Sequence, residues 1–245
     1  MSMVITVTCT EGIVMGSDSA CSMLTMIDLQ SLLSGNIAEA YKKAVGHNLY
    51  GSVANSVGSH ITSSTFQKLH VMKGNNIAFS EGNEWVTRNT KMSIKPYLDY
   101  FCLNNHFDNP KTAACELLNY VRKIDPTMDA VFHVGGYNFE GEIPTPEFWY
   151  VSVLKNEARE VASKGSGGLC FSGANDYISP YIDQINKNMI YYSLQDAVDL
   201  VMFAFEMSMN AERFIKLERH ITPPIDLLAI TQSGVEWVQR KKLEA

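Results

Sequence analysis

The chain has 245 residues, 46% hydrophobic and 19% charged, with a formal net charge of −6. That length and composition predict one large globular domain over 1–245 rather than a disordered or fibrous chain. The acidic balance argues against a nucleic-acid partner, which needs a basic stripe; the one basic run, Arg240-Lys241-Lys242, sits at the tail.

In chain order, the first segment alternates. Met3, Ile5, Val7 and Cys9 fall on one face and Ser2, Thr6, Thr8 and Thr10 on the other, the pattern of a half-buried strand. Glu11-Gly12 makes a turn, and 13–18 reads as the returning strand. An insertion is expected at about 24–60: residues 37–45 have helical composition, and 46–59 are rich in Gly, Ser and Asn. A third strand is predicted over 61–72, then a turn at 73–76 and a short strand from Ile77 that ends at Gly82.

A helix is predicted over about 84–103. A second starts at Pro110, with Asn109 as N-cap and proline in the first position; it carries Ala114, Leu117, Leu118 and Val121 at helical spacing. Strands follow at 130–135, 147–154 and 161–164, then a turn at Gly165-Ser166-Gly167-Gly168 and a helix over 175–186. Ser193 and Asp196 form a capping-box-like start to a long helix reaching Phe214. Strands at 226–231 and 235–238 flank a Ser233-Gly234 turn. Blocks of strands joined by tight turns imply antiparallel sheets with helix pairs packed outside. The fold class is therefore α+β, a four-layer αββα sandwich.

Most familiar chemistry is missing. The glycine-rich turn at 165–168 lacks the lysine and serine of a phosphate loop and does not open a βαβ unit. The six histidines show no HExxH or similar spacing, and the five cysteines are scattered without a CxxC pair. Neither a metal nor a cofactor is expected, and the cysteines fit reduced thiols in a cytoplasm. No stretch approaches the roughly 18 apolar residues that span a bilayer, and the start lacks a signal-peptide pattern, so no membrane association is expected. There is no GxSxG elbow. What remains is the start of the chain. Methionine before a small residue is generally trimmed, which would expose Ser2. A free N-terminal serine holds its hydroxyl beside its own amine, whose unperturbed pKa of about 8 suits a general base.

The run from Ser2 through Glu11-Gly12 to Gly16-Ser17-Asp18-Ser19 resembles the opening of proteasome β-type subunits and of the bacterial ring protease that works with an unfoldase. So does a strand ending in Lys68, a small-residue strand ending at Gly82, the Gly165-Ser166-Gly167 turn after the Phe148 strand, and the closing hairpin from Pro224. The resemblance implies the N-terminal-nucleophile (Ntn) hydrolase fold. By it, the Ser2 hydroxyl attacks a peptide carbonyl, giving an acyl-enzyme, and the Ser2 amine relays the proton. Lys68 stands beside the nucleophile and lowers the pKa of its neighbours, while Asp18 pairs with Lys68. The Gly82 N–H stabilises the oxyanion, a contribution of roughly 3 kcal/mol. Ser166 hydrogen-bonds the amine, and Glu212 takes the place of a supporting aspartate. The implied partners are a peptide or unfolded-protein substrate and further copies of the chain in a ring; any ATPase regulator is unidentified. A catalytically silent scaffold, or an amidase or transpeptidase on the same fold, are the alternatives. Serine in place of the usual threonine loses the methyl that restricts the nucleophile's rotamer.

Overall fold

The computed structural model describes residues 3–27, 56–63, 66–83, 87, 92–140, 142–162, 166–173, 177–181, 185, 189–215 and 221–241. The opening hairpin pairs β1 (Met3–Cys9) with β2 (Gly12–Ser17), Val7 opposite Val14. Cys9 faces Gly12, so only Thr10 and Glu11 lie in the loop, the tightest common connection between antiparallel strands.

Two strands flank this hairpin. β10 (Gly168–Gly173) adds to β1, and β11 (Asp226–Thr231) adds to β2 with β12 (Gly234–Gln239) beyond it. The second five-stranded sheet runs in the order β5 (Leu69–Val71), β6 (Ile77–Asn83), β7 (Ala130–Asn138), β8 (Thr145–Ser152) and β9 (Glu157–Ala162). All pairings in both sheets are antiparallel. A separate two-stranded ribbon joins β3 (Cys21–Ile27) to β4 (Ser56–Ser63).

Three apolar layers hold the stack together. Ile13, Met15, Leu228 and Ile230 meet Ala78, Tyr137 and Phe148 between the sheets. Helix α3 (Leu194–Ile215) covers the outer face of the first sheet, packing Val201, Ala204 and Phe205 on Met3, Ile5 and Val7. Helices α1 (Lys95–Asn104) and α2 (Pro110–Ile124) cover the second sheet, where Leu98, Phe101, Leu117 and Val121 meet Phe79, Phe132 and Val151. The result is the four-layer αββα sandwich, with the non-directional burial of apolar area as its main drive.

Several expected elements differ. β1 is buried along its whole length rather than on one face. It lies inside its sheet and is covered on both sides, by α3 on the Met3-Ile5-Val7 face and by the second sheet on the Thr6 face. The strand expected over 61–72 is broken, because β4 pairs in the ribbon while β5 joins the second sheet. α1 begins at Lys95, with Pro96 in its first turn; of the helix expected from 84, residues 84–86 and 88–91 lie outside the described residues. Of the helix expected over 175–186, the described residues form a 3-10 turn, Ser179–Tyr181, and Ile185 is helical; 175–176, 182–184 and 186 lie outside the described residues. β10 has no counterpart among the expected strands. The helix expected over 37–45 lies outside the described residues.

Candidate active site

β2 ends at Ser17, and the next residue, Asp18, is fully buried. Its carboxylate is saturated with donors. Oδ1 accepts the Met3 N–H at 2.9 Å and the Lys68 ammonium at 2.6 Å. Oδ2 accepts the Ala20 N–H at 3.0 Å and the Thr222 N–H at 3.4 Å. Lys68 lies just before β5 and is also buried; its ammonium donates to the Ala20 carbonyl as well. Two opposite charges thus sit in the interior, paired and hydrogen-bonded as buried charges must be. The Met3 amide belongs to the peptide bond that links it to Ser2, so the pair stands under the first residues of β1. Met1 and Ser2 themselves lie outside the described residues.

The other candidate residues are distributed around this pair. Gly82, in β6, faces the first sheet: a Cβ on it would lie 3.2 Å from the Ser172 Cβ and 3.8 Å from Val4 Cγ2. Glu212, on α3, is buried, and its Oε2 accepts the Ile221 N–H at 3.1 Å. The next residue, Thr222, donates to Asp18, so one short segment links Glu212 to the Asp18–Lys68 pair. Ser166 is not brought to it. β1 and β10 are antiparallel, with Met3 opposite Gly173 and Thr8 opposite Gly168. The end of β10 that adjoins the start of β1 is therefore Gly173. Ser166 precedes the other end, with five residues of strand at about 3.4 Å each, roughly 17 Å, in between.

Sequence reasoning passed over a buried polar chain between the sheets. His133 Nδ1 lies 2.9 Å from Thr6 Oγ1 and Nε2 lies 2.8 Å from Ser172 Oγ. Burial, helped by the charge of Arg159, pushes the His133 pKa down to about 3, so the ring is neutral at physiological pH. A ring so weakly basic is a poor general base; it bridges the sheets. The available signal was a histidine in an otherwise apolar strand, opposite a threonine with no route to solvent.

Burial raises the Cys9 pKa and pushes Cys102 up to about 12 and Cys170 up to about 11, and the thiol, not the reactive thiolate, then prevails. Among the described residues, no group of three His, Cys, Asp or Glu side chains is placed to hold a metal ion. No helix among them is long and apolar enough to cross a membrane.

No family model matches the chain, and no curated protein matches it. Among solved structures it is similar to Anbu from Hyphomicrobium sp. strain MC1, with a TM-score of 0.57 and 13% sequence identity, covering 98% of this chain and 88% of that one. These findings correct the family suggested by the sequence motifs, the proteasome β-type subunits and the unfoldase-linked ring protease. What the chain shares with Anbu is the fold, a sandwich of two antiparallel sheets between helices that resembles the Ntn arrangement.

Proposed function

We propose that the chain is an N-terminal nucleophile hydrolase that cleaves peptide bonds with Ser2 after removal of Met1. The Ser2 amine takes the hydroxyl proton as Oγ bonds to the carbonyl carbon. The tetrahedral oxyanion, stabilised by the Gly82 N–H, collapses as the C–N bond breaks and the amine product leaves with the proton. Water then hydrolyses the acyl-enzyme and regenerates the free hydroxyl. Lys68 supplies a fixed positive charge close to the nucleophile, and Asp18 holds Lys68 in place. Glu212 supports the same region through the 221–222 segment.

One observation carries this reading: the Met3 amide, one peptide bond from Ser2, donates to a carboxylate that is itself bonded to a buried ammonium. A lysine and an aspartate buried only for stability gain little over apolar residues of the same size. Their place at the start of β1 is what a nucleophile on the first residue needs. On the same reading the chain is one domain over 1–245 with an insertion at about 24–60, works in the cytoplasm and self-associates.

The test has two steps. Intact-mass measurement on the purified protein should show loss of Met1. A peptide epoxyketone, which reacts only where a hydroxyl and a primary amine share one residue, should then add covalently at Ser2, and S2A should abolish the addition. Retention of Met1, or a trimmed protein that takes no label, points instead to a catalytically silent scaffold.

A further inference from the structure

A second buried ion pair lies against the first. Lys241, just past the end of β12, places its ammonium 2.7 Å from Asp226 Oδ2, with 4% of the lysine side chain and none of the aspartate's exposed. The Lys241 N–H closes the same loop onto Asp226 Oδ1 at 2.8 Å. The ammonium meets that carboxylate as an ion pair and donates two hydrogen bonds elsewhere, one to Ser19 Oγ at 2.9 Å and one to the Phe66 carbonyl at 2.6 Å.

Those two acceptors belong to the segments that supply the first pair. Ser19 follows Asp18. Phe66 lies two residues before Lys68, and its N–H donates to the Ser19 carbonyl at 3.1 Å. Ser19 is further fixed by its N–H on the Thr222 carbonyl and its hydroxyl on the Pro224 carbonyl. The Lys241 ammonium therefore holds the segments of Asp18 and Lys68 at once. Resting on the hydrolase reading above, we propose that Lys241 is a positioning residue for the Asp18–Lys68 pair, its buried ammonium, anchored by Asp226, fixing Ser19 and Phe66 and through them the geometry under the start of β1.

Energetics favour a positional role over a stabilising one. Two charges taken from water roughly break even against apolar residues of equal volume, so a buried pair adds little net stability. What it adds is directional: two hydrogen bonds aimed at Ser19 Oγ and the Phe66 carbonyl, with the ammonium held in place by the Asp226 charge. The two ammonium groups also sense each other: burial pulls the Lys241 pKa below its ordinary value, Asp226 draws it back up, and the charge of Lys68 pushes it down.

The test compares wild type, K241M and the double variant D226N/K241M. K241M leaves Asp226 buried and unpaired and loses stability to urea. The double variant removes both charges and regains much of that stability. If Lys241 only stabilises, the double variant also regains wild-type behaviour at the site. If it positions, epoxyketone labelling of the double variant stays roughly tenfold or more slower than wild type, as expected for small displacements of reacting groups. The Met3 and Ala20 amides, which donate to Asp18, then exchange with deuterium faster while β7 and β8 amides do not. A folded double variant with wild-type labelling and wild-type Met3 exchange overturns the proposal. If wild type takes no label, the proposed nucleophile fails, and the exchange rates at Met3 and Ala20 alone decide whether Lys241 positions Asp18.

Discussion

Lys68 Nζ stands 2.6 Å from Asp18 Oδ1, and 5% and 0% of the two side chains are exposed. The residues are 50 positions apart in the chain, so the contact ties the end of the opening hairpin to the edge of the second sheet. Breaking such a pair from one side strands a charge in the interior, at a cost of about 3–5 kcal/mol. K68M and D18N are each expected to lose about that much in urea unfolding, whereas D18N/K68M loses clearly less than the sum, because no lone charge remains. A K68M variant as stable as wild type would mean that the two charges are not coupled in solution.

His133 gives the fold an acid-sensitive point. Its pKa is held at about 3 by burial, against an ordinary 6.5 in the unfolded chain. Below pH 6.5 the unfolded state takes up the proton and the folded state does not. The stability is therefore complete above 6.5 and declines as pH falls toward 3, by up to about 1.4 kcal/mol per pH unit. H133Q removes that titration. The loss of stability between pH 7 and pH 5 is expected to be smaller in H133Q than in wild type by about 2 kcal/mol, measured as the shift in urea midpoint.

His70 should behave in the opposite way. Burial alone would lower its pKa, but the Asp99 and Glu81 carboxylates outweigh that and raise it above 6.5. Glu81 Oε2 is 3.2 Å from Nε2, and Asp99 Oδ1 is 3.7 Å from Nδ1. His70 also holds the Asp99 carboxyl down at about 2, with Lys95 assisting. The stability from charged His70 is full below pH 6.5 and is lost as pH rises through its folded value. In an NMR titration, His70 is expected to titrate above pH 6.5 while His133 stays neutral down to pH 5, and D99N should lower the His70 midpoint. Coincident midpoints for the two rings would rule this out.

How much of this was legible in the sequence depends on the range of the interaction. Local chemistry was: Asn109 caps α2 by accepting the Thr112 N–H at 2.8 Å, and Ser193 and Asp196 exchange hydrogen bonds at the start of α3. Both are written within four residues. The direction of Lys68 was not, because its neighbours Phe66 and Met72 leave it open and its partner, Asp18, lies 50 residues away just past the end of β2. Nor was the reach of Ser166. Ser166-Gly167 and Ser172-Gly173 are small-residue pairs at the two ends of β10, and only the pairing of Gly173 with Met3 decides which end meets the start of β1. The polar face of β1 was visible, but its burial against His133 follows from the packing of one sheet on the other.

Gly16 lies where α3 packs tightly on the first sheet. A Cβ there would lie 2.5 Å from Val201 Cγ1 and 2.8 Å from Phe205 Cε2, well inside van der Waals contact. The obstacle is packing, since Gly16 sits in the middle of an ordinary strand pairing with Ile5 and Leu227. In a close-packed interior the helix must move or the side chains must leave their rotamers, which costs about 1–3 kcal/mol. G16A is expected to lower stability by that amount. V201A removes the nearer methyl groups and by itself opens a cavity, a separate loss. In G16A/V201A the new methyl enters part of that cavity, so the double variant should cost less than the two singles added together. Because α3 also carries Glu212 near its end, hydrogen exchange at Ile221, whose N–H donates to Glu212, is expected to rise in G16A and to return toward wild type in the double variant. Additive losses with unchanged exchange at Ile221 would show that α3 absorbs the methyl without moving.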